Sequence, residues 1–402
     1  MIKTILILML LFFLSEAKPV DCNTSFFKSI EKCDADWVVI GAGPAGISTV
    51  GVLLSLGVLQ DRITWLDPEF NVGRLSTFPT VVANNKSKFF IKFIESCKTF
   101  TECVPKAIEK LKELDPEKEY PLSNIIDPLQ EITSCILKKV KSFKFNLQSL
   151  HFENDSWQVG VNNQTLTAYN VVLATGSHPK TLNYEEHKSK EIPLDKALDK
   201  SYLEKLLTPE DVVAVVGASH SGILILKYLS ELSIKKIINF YHKPILYPID
   251  MGTWTLNDEN GIKGVAAEWA KNVLEKNPPA NLIRLKSSPE IIKEVFPTCT
   301  RIVYSIGFER NDLPNVNGNS DLNYDAKTGV IATRLFGIGI AFPEQHVNPI
   351  GDVEYKIGLN SFIEYAQRII PCWMQKRGLK YKEDNQKQML QMFEELFRIE
   401  IL

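Results

Sequence analysis

The sequence predicts an α/β fold in which a strand, a glycine-spaced loop, a helix and a second strand occur in that order twice. Three observations carry the prediction. Asp36–Ile40 reads as a buried strand and runs at once into glycines at 41, 43 and 46. The same order returns at Val212–Val216, with Gly217 and Gly222 bounding the second loop. Between the two, from Phe143, the apolar period drops to two, as in short half-buried strands. A chain of 402 residues is long enough for about two such domains, each with its own core.

In chain order, Asp36–Ile40 is followed by a helix over Ile47–Leu56, ended by Gly57, and by a strand over Arg62–Leu66. Residues 97–140 are polar and proline-punctuated, with helical patterns over Lys106–Leu114 and Leu129–Lys139. Phe145–Phe152, Trp157–Val161 and Leu166–Ala168 read as a meander with Asn-rich turns, leading into Val171-Val172-Leu173-Ala174-Thr175-Gly176. A Lys- and Glu-rich linker covers about 180–210. The second unit comprises Val212–Val216, a helix over Ile223–Leu232 and a strand over Lys236–Tyr241. Arg301–Ile306, ending in Gly307-Phe308, and Phe336–Phe342 are further strands, and a helical pattern from Asn360 is interrupted by Pro371.

The first loop is Gly41-Ala42-Gly43-Pro44-Ala45-Gly46, a G-x-G-x-x-G between strand and helix. Gly41 permits the tight turn, Gly43 lets backbone amides approach a pyrophosphate, and Gly46 lets the helix sit close to the strand. Those amides and the positive end of the helix dipole would hold the phosphates. Asp67 ends the second strand, where an acid would accept hydrogen bonds from an adenosine ribose. Together these features are the fingerprint of a Rossmann-type dinucleotide-binding fold.

The run Asp36-Trp37-Val38-Val39-Ile40-Gly41-Ala42-Gly43-Pro44-Ala45-Gly46-Ile47, with Ala174-Thr175-Gly176 beyond it, resembles the two-dinucleotide flavoproteins. That group includes the pyridine nucleotide-disulfide reductases, the flavin-containing monooxygenases and the amine N-hydroxylases. The resemblance extends over nearly all of residues 34–370, and the Pro44-Ala45 pair is typical of FAD loops in the group. It implies an FAD domain in two parts, 34–182 and 297–380, with an inserted NAD(P)H domain over 183–296; the helical pattern that begins at Asn360 predicts a C-terminal helix over 381–402. The resemblance also implies that Thr175 and Gly176 lie beside the flavin, that Arg74 is flavin-proximal, and that Gly351-Asp352 meets the ribityl chain or pyrophosphate. An exposed Gly-Asp turn is the alternative for that last pair.

The second loop, Gly217-Ala218-Ser219-His220-Ser221-Gly222, resembles the NADP(H) loop of the monooxygenase branch but has Ser219 where the middle glycine belongs. Ser219 narrows the approach to a pyrophosphate, although its hydroxyl can donate to a phosphate. Tyr241-His242-Lys243 follows the next strand in place of an acid. An acid there would repel a 2′-phosphate, so Lys243 favours NADPH over NADH. The expected activity is transfer of hydride from NADPH to FAD, then oxidation of a small molecule, monooxygenase-like in kind. A lumenal thiol-disulfide flavoenzyme and a non-catalytic FAD-binding scaffold with a decayed second site are the alternatives. The sequence names no catalytic base; His178 and His346 are more ordinary as surface or core histidines.

The composition is 45% apolar and 23% charged with a formal net charge of −2, which gives no basic footprint for nucleic acid. Met1-Ile2-Lys3, an apolar run from Ile5 to Leu14 and Ser15-Glu16-Ala17 form the three-part pattern of a secretory signal peptide over residues 1–17. Secretion or lumenal residence, with no membrane association after cleavage, is the expectation. In an oxidising compartment Cys22 with Cys33, or Cys97 with Cys103, could form a disulfide, whereas Cys135, Cys299 and Cys372 read as buried small hydrophobes. The spacings support neither a redox C-x-x-C nor a zinc site. N-x-[ST] sequons occur at Asn23, Asn85, Asn154 and Asn163, a number that chance alone supplies in an asparagine-rich chain.

Overall fold

In the computed structural model, which describes residues 33–375 apart from 162–163, 314 and 318–321, the chain divides into two compact parts, Met1–Cys33 and Asp34–Leu402. The fold below is that of the second. The leader and the C-terminal helix expected over 381–402 lie outside the described residues.

The first sheet is built on β1 (Ala35–Ile40), which leads through the glycine loop into helix α1 (Pro44–Ser55) and strand β2 (Ile63–Asp67). A hairpin of β3 (Val82–Lys86) and β4 (Glu119–Pro121) brackets three helices, α2 (Lys88–Glu95), α3 (Lys98–Cys103) and α4 (Pro105–Lys112), and α5 (Ser123–Ile136) follows. Strand β5 (Lys141–Lys144) precedes the expected meander, β6 (Ser149–Glu153), β7 (Ser156–Val161) and β8 (Gln164–Leu173). Strands β5, β2, β1 and β8 lie side by side in parallel.

Both faces of this sheet are covered, which is why β1 reads as a near-continuous apolar run. Trp37, Val39 and Trp65 pack towards α1 and the helices, while Val38, Ile40 and Leu66 pack against Leu150, Trp157 and Val159 of the meander.

A three-residue strand, β9 (Ser177–Pro179), then leaves the first sheet. The linker expected over 180–210 is structured: it carries a 3-10 stretch, Glu185–Lys190, and helices α6 (Leu194–Ala197) and α7 (Lys200–Leu206). Asp199 caps α7 by accepting from the amides of Ser201 and Tyr202.

The second unit comprises β10 (Val212–Val216), α8 (His220–Ser230), β11 (Lys236–Tyr241), a hairpin of β12 (Ile249–Asp250) and β13 (Thr255–Leu256), α9 (Gly264–Trp269), β14 (Leu282–Lys286), α10 (Pro289–Val295) and β15 (Arg301–Tyr304). Its parallel order, β14-β11-β10-β15, repeats that of β5-β2-β1-β8. The strand at Arg301, assigned from sequence to the second part of the FAD domain, therefore belongs to the second sheet, where Val213–Val216 of β10 supplies its hydrogen-bond partners.

The chain returns through β16 (Phe308–Arg310), antiparallel to β9. The last elements are β17 (Val330–Ala332), β18 (Leu335–Gly337), a hairpin of β19 (Glu344–Val347) and β20 (Val353–Lys356), and α11 (Leu359–Gln375). Two local expectations are corrected. The strand over Phe336–Phe342 stops at Gly337, because Gly339 at φ +85° turns the chain away. Helix α11 continues through Pro371, since Ile369, Ile370, Trp373 and Met374 around it are all buried against the core.

The cysteines also differ from expectation. Cys103 of α3 is bonded to Cys135 of α5, and not to Cys97. Cys97 is a buried thiol beside the Ser55 hydroxyl, 3.4 Å away, and Cys372 is exposed. Sequence proximity misled here, since the packing of two helices brings together positions 32 residues apart. Cys22 lies outside the described residues.

Candidate nucleotide-binding sites

Gly41 has φ +110°, and a Cβ there would stand 2.2 Å from the carbonyl oxygen of Ala174. A Cβ on Gly46 would stand 1.9 Å from the Gly41 carbonyl oxygen. Both positions are closed to any side chain by the protein itself. Gly43 is different: its Cβ would meet nothing nearer than Val72 O at 4.0 Å. The space over Gly43 is thus kept open for something other than the chain, as close approach of a phosphate requires. Helix α1 starts there with Pro44 at its first turn and no side-chain cap, so its leading amides face that space.

Asp67 is built into this loop. Its Oδ2 accepts from the Ala42 amide at 2.7 Å, and its Oδ1 from the amides of Glu69 and Phe70 at 2.8 and 2.6 Å. Oδ1 is thereby saturated, and Oδ2 keeps a lone pair for a further donor. The Trp65 indole N–H fixes the same loop from below by donating to Gly41 O at 2.9 Å.

Arg74 lies in the 3-10 turn Gly73–Thr77, which abuts the loop, since a Cβ on Gly73 would be 3.0 Å from the Gly43 Cα. Its Nε is buried with no hydrogen bond, and its guanidinium is 3.9 Å from Asp195 of α6. The Thr175 hydroxyl is likewise buried without a partner, beside Gly176 at φ +73°. The other loop neighbour is Gly339, where a Cβ would lie 2.6 Å from the Cβ of Ala45. Asp352, in contrast, is exposed in the turn between β19 and β20, its amide donating to Asn348 Oδ1 at 2.9 Å. The structure therefore brings Gly339 to the loop and leaves Asp352 in a hairpin turn.

The second loop repeats the backbone hydrogen bonds that anchor the first. Gly41 N donates to Leu66 O at 2.7 Å and Gly217 N to Phe240 O at 2.8 Å. Ala174 N donates to Ile40 O and Ser305 N to Val216 O. Gly217, at φ +114°, is closed by Ser305 O at 2.3 Å, and Gly222 by Gly217 O at 2.6 Å. Where Trp65 holds Gly41, Asn239 holds Gly217: its Nδ2 donates to that carbonyl at 2.8 Å.

Ser219 is the exposed N-cap of α8 and its side chain makes no capping bond, so the hydroxyl is free for a ligand. Ser221 follows, half-buried, in the first turn. His220 between them has a buried Nδ1 with no hydrogen bond. Burial, with the charge of Lys263 adding, pushes its pKa down to about 4, so the ring is neutral at physiological pH. Lys243 is exposed just beyond β11.

Sequence reasoning missed several residues here. Arg284 of β14 lies over the Tyr241 ring at 4.7 Å and donates from Nε to Asn239 Oδ1 at 3.1 Å. Ser305-Ile306-Gly307 is the counterpart of Ala174-Thr175-Gly176, a match visible in the sequence once both loops are aligned. Asn311, just past β16, donates from Nδ2 to Thr175 O at 2.8 Å and from its backbone to Gly176 O at 3.2 Å. His178 of β9 bonds Asn311 Oδ1 at 3.1 Å and lies 3.1 Å from Glu309 Oε1. The ribbon that connects the two units is thus tied to the turn beside the first loop.

Comparison with known proteins agrees with this geometry. Residues 35–333 match the family described as pyridine nucleotide-disulphide oxidoreductase. The chain is 30% identical over 390 residues, 86% of its length and 98% of the relative, to monooxygenase AgnR1 of Paecilomyces divaricatus. Among solved structures it resembles bacillithiol disulfide reductase Bdr from Staphylococcus aureus (11% identity, 86% and 99% of the two chains, TM-score 0.58). It also resembles a variant of the flavin monooxygenase from Stenotrophomonas maltophilia (13% identity, 86% and 99%, TM-score 0.56). The two repeated loops and the family match lead to one assignment: this chain belongs to the pyridine nucleotide-disulphide oxidoreductase family.

Proposed function

We propose that the chain is an FAD-dependent oxidoreductase that takes hydride from NADPH and oxidises a small molecule in a monooxygenase-like reaction. The observation that carries this reading is the pair of matched glycine loops, one with an open cradle over Gly43 and unpartnered Thr175 and Arg74 atoms beside it. These residues fit FAD. Gly43, Ala45 and Gly46 would present backbone amides to the pyrophosphate, with Arg74 adding positive charge and Asp67 holding the loop in shape. The chemistry FAD supplies is acceptance of two electrons from a reduced nicotinamide and their onward transfer. Ser219, Ser221 and the α8 amides would hold the second nucleotide, with Lys243 favouring a 2′-phosphate.

The cysteines argue against a thiol route. Cys97 sits beside Ser55 at the far end of α1, about 16 Å along that helix from its first turn at 1.5 Å per residue. The Cys103–Cys135 bond joins α3 to α5, and Cys299 is buried just ahead of β15. Among the described residues no cysteine pair lies on the ribbon of β9 and β16.

Entry into the secretory pathway is part of the same reading, supported by the charged, apolar and small-residue pattern of residues 1–17 and by the Cys103–Cys135 disulfide.

Anaerobic mixing of the FAD-loaded protein with NADPH or NADH, following flavin absorbance, tests the reading. Bleaching that is faster with NADPH and reverses on admitting air without a disulfide is expected. Absence of bleaching with either nucleotide would overturn it.

A further inference from the structure

Of the four N-x-[ST] sequons, those at Asn85 and Asn154 lie within the described residues. Their surroundings differ. Asn154 and Asp155 form the two-residue turn between β6 and β7, whose ladder ends at Glu153 paired with Ser156. Both turn residues have positive φ, +49° and +61°, as a tight hairpin turn of this type requires. Asn154 is exposed, and among the described residues its carboxamide makes no hydrogen bond. The turn is held by its neighbours instead. Asp155 pairs with Arg334, which is buried over the rings of Phe152 and Tyr169, and the Ser156 hydroxyl donates to Glu153 O at 3.2 Å.

Asn85 lies on β3, half-buried. Both sequon serines are buried, Ser87 donating to Asp115 O at 2.8 Å, so the difference lies at the asparagines. The same strand packs against the start of α9, where a Cβ on Gly264 would come 3.6 Å from the Asn84 Cα. Asn85 is half-buried next to that packing, so a bulky, solvated group on it has less room than one on Asn154, which would extend into water.

We propose that Asn154 is a site of N-linked glycosylation and that Asn85 is not, an inference that rests on the secretory reading above. The transfer joins Asn154 Nδ2 to the anomeric carbon of an oligosaccharide supplied as its lipid diphosphate by the host's transferase. The C–O bond from that carbon to the diphosphate breaks, the lipid diphosphate leaves, and one amide proton passes to a base of the transferase. No electrons change hands. The fold accepts the product because the turn that bears it is rigid, exposed and held from beneath.

The test is expression of the full-length chain in a eukaryotic secretory line, with Asn23→Gln and Asn163→Gln so that the two remaining sequons are read alone. The expected result is a single mobility shift, removed by peptide N-glycosidase, lost in Asn154→Gln and kept in Asn85→Gln, with NADPH-dependent flavin reduction unchanged in Asn154→Gln. A shift that survives Asn154→Gln overturns the assignment. N-terminal sequencing of the same sample separates the remaining failures. A chain cleaved after the leader but bearing no glycan at Asn154 overturns the proposal and leaves the secretory reading standing. An uncleaved, unglycosylated chain overturns both.

Discussion

The amide of Ala42 donates to the Asp67 carboxylate at 2.7 Å, so the acid at the end of β2 clamps the loop that opens β1's helix. With Glu69 and Phe70 also donating to it, this buried carboxylate satisfies three backbone amides. An asparagine has the same shape but turns an NH2 towards at least one of those donors. Leaving a buried N–H unpaired costs about 1–3 kcal/mol. Asp67→Asn is therefore expected to weaken FAD binding by roughly 10-fold or more and to lower the melting temperature of the apoprotein. Fluorescence titration with FAD and calorimetry check the two parts; an apoprotein of unchanged stability would show that the clamp is not structural.

Gly43 and Gly46 should separate binding from folding. A Cβ on Gly46 collides with Gly41 O at 1.9 Å, whereas one on Gly43 meets nothing nearer than Val72 O at 4.0 Å. Gly46→Ala is expected to unfold or strongly destabilise the protein. Gly43→Ala should fold with a near-normal melting temperature yet lose most of its FAD affinity, because only the cofactor contests that space. Equal losses of stability in the two variants would refute the assignment of Gly43 to the phosphates.

On the proposed function, Lys243 would set the coenzyme preference. Its side chain is exposed beyond β11, so its attraction for a 2′-phosphate is screened by salt. Lys243→Glu is expected to lower the NADPH over NADH preference in kcat/KM by about 10-fold, the equivalent of about 1.4 kcal/mol. The effect should shrink at high ionic strength. A preference that does not move would assign the discrimination elsewhere, with Arg284 over the Tyr241 ring next in line.

His220 gives a pH dependence whose sign follows from its depressed pKa. The folded value is about 4 against the ordinary 6.5, because burial disfavours the imidazolium. Between those values the unfolded chain binds more protons than the folded one, so stability rises with pH across that window. The contribution is fully present above about 6.5 and is lost as pH falls towards 4. His220→Asn should flatten this part of the stability profile in urea titrations at several pH values. An unchanged slope would mean the ring is solvated in the folded protein.

Both glycine loops were legible in the sequence because a tight turn with a close helix permits little else: Gly41, Gly46, Gly217 and Gly222 are each closed by a backbone oxygen. The ribbon of β9 and β16 was not, since two three-residue strands carry no periodicity to read. Asn239 left a signal that went unused, a lone polar residue inside the buried run Lys236–Tyr241. Asp352 is the reverse case: a Gly-Asp pair is as much a turn as a ligand site, and only tertiary placement separates them. The cysteine pairing lay beyond sequence for a related reason: connectivity depends on which helices pack, not on which cysteines are close in the chain.

Cys103–Cys135 closes a loop over a sequence separation of 32 residues, and in the chain-entropy account such a cross-link contributes about 2–4 kcal/mol by restricting the unfolded state. Cys135→Ser should therefore lower the melting temperature and raise sensitivity to proteolysis. The bond ties α3 to α5, and Thr99 of α3 donates to Gly51 O of α1, so loosening reaches the flavin helix through its middle and not through the phosphate loop. At a temperature where the variant is still folded, NADPH-dependent flavin reduction should proceed at the wild-type rate. Reduced flavin that a small disulfide reoxidises in the wild type but not in a folded, FAD-loaded Cys135→Ser protein would reinstate the thiol-relay chemistry that the positions of the cysteines argue against.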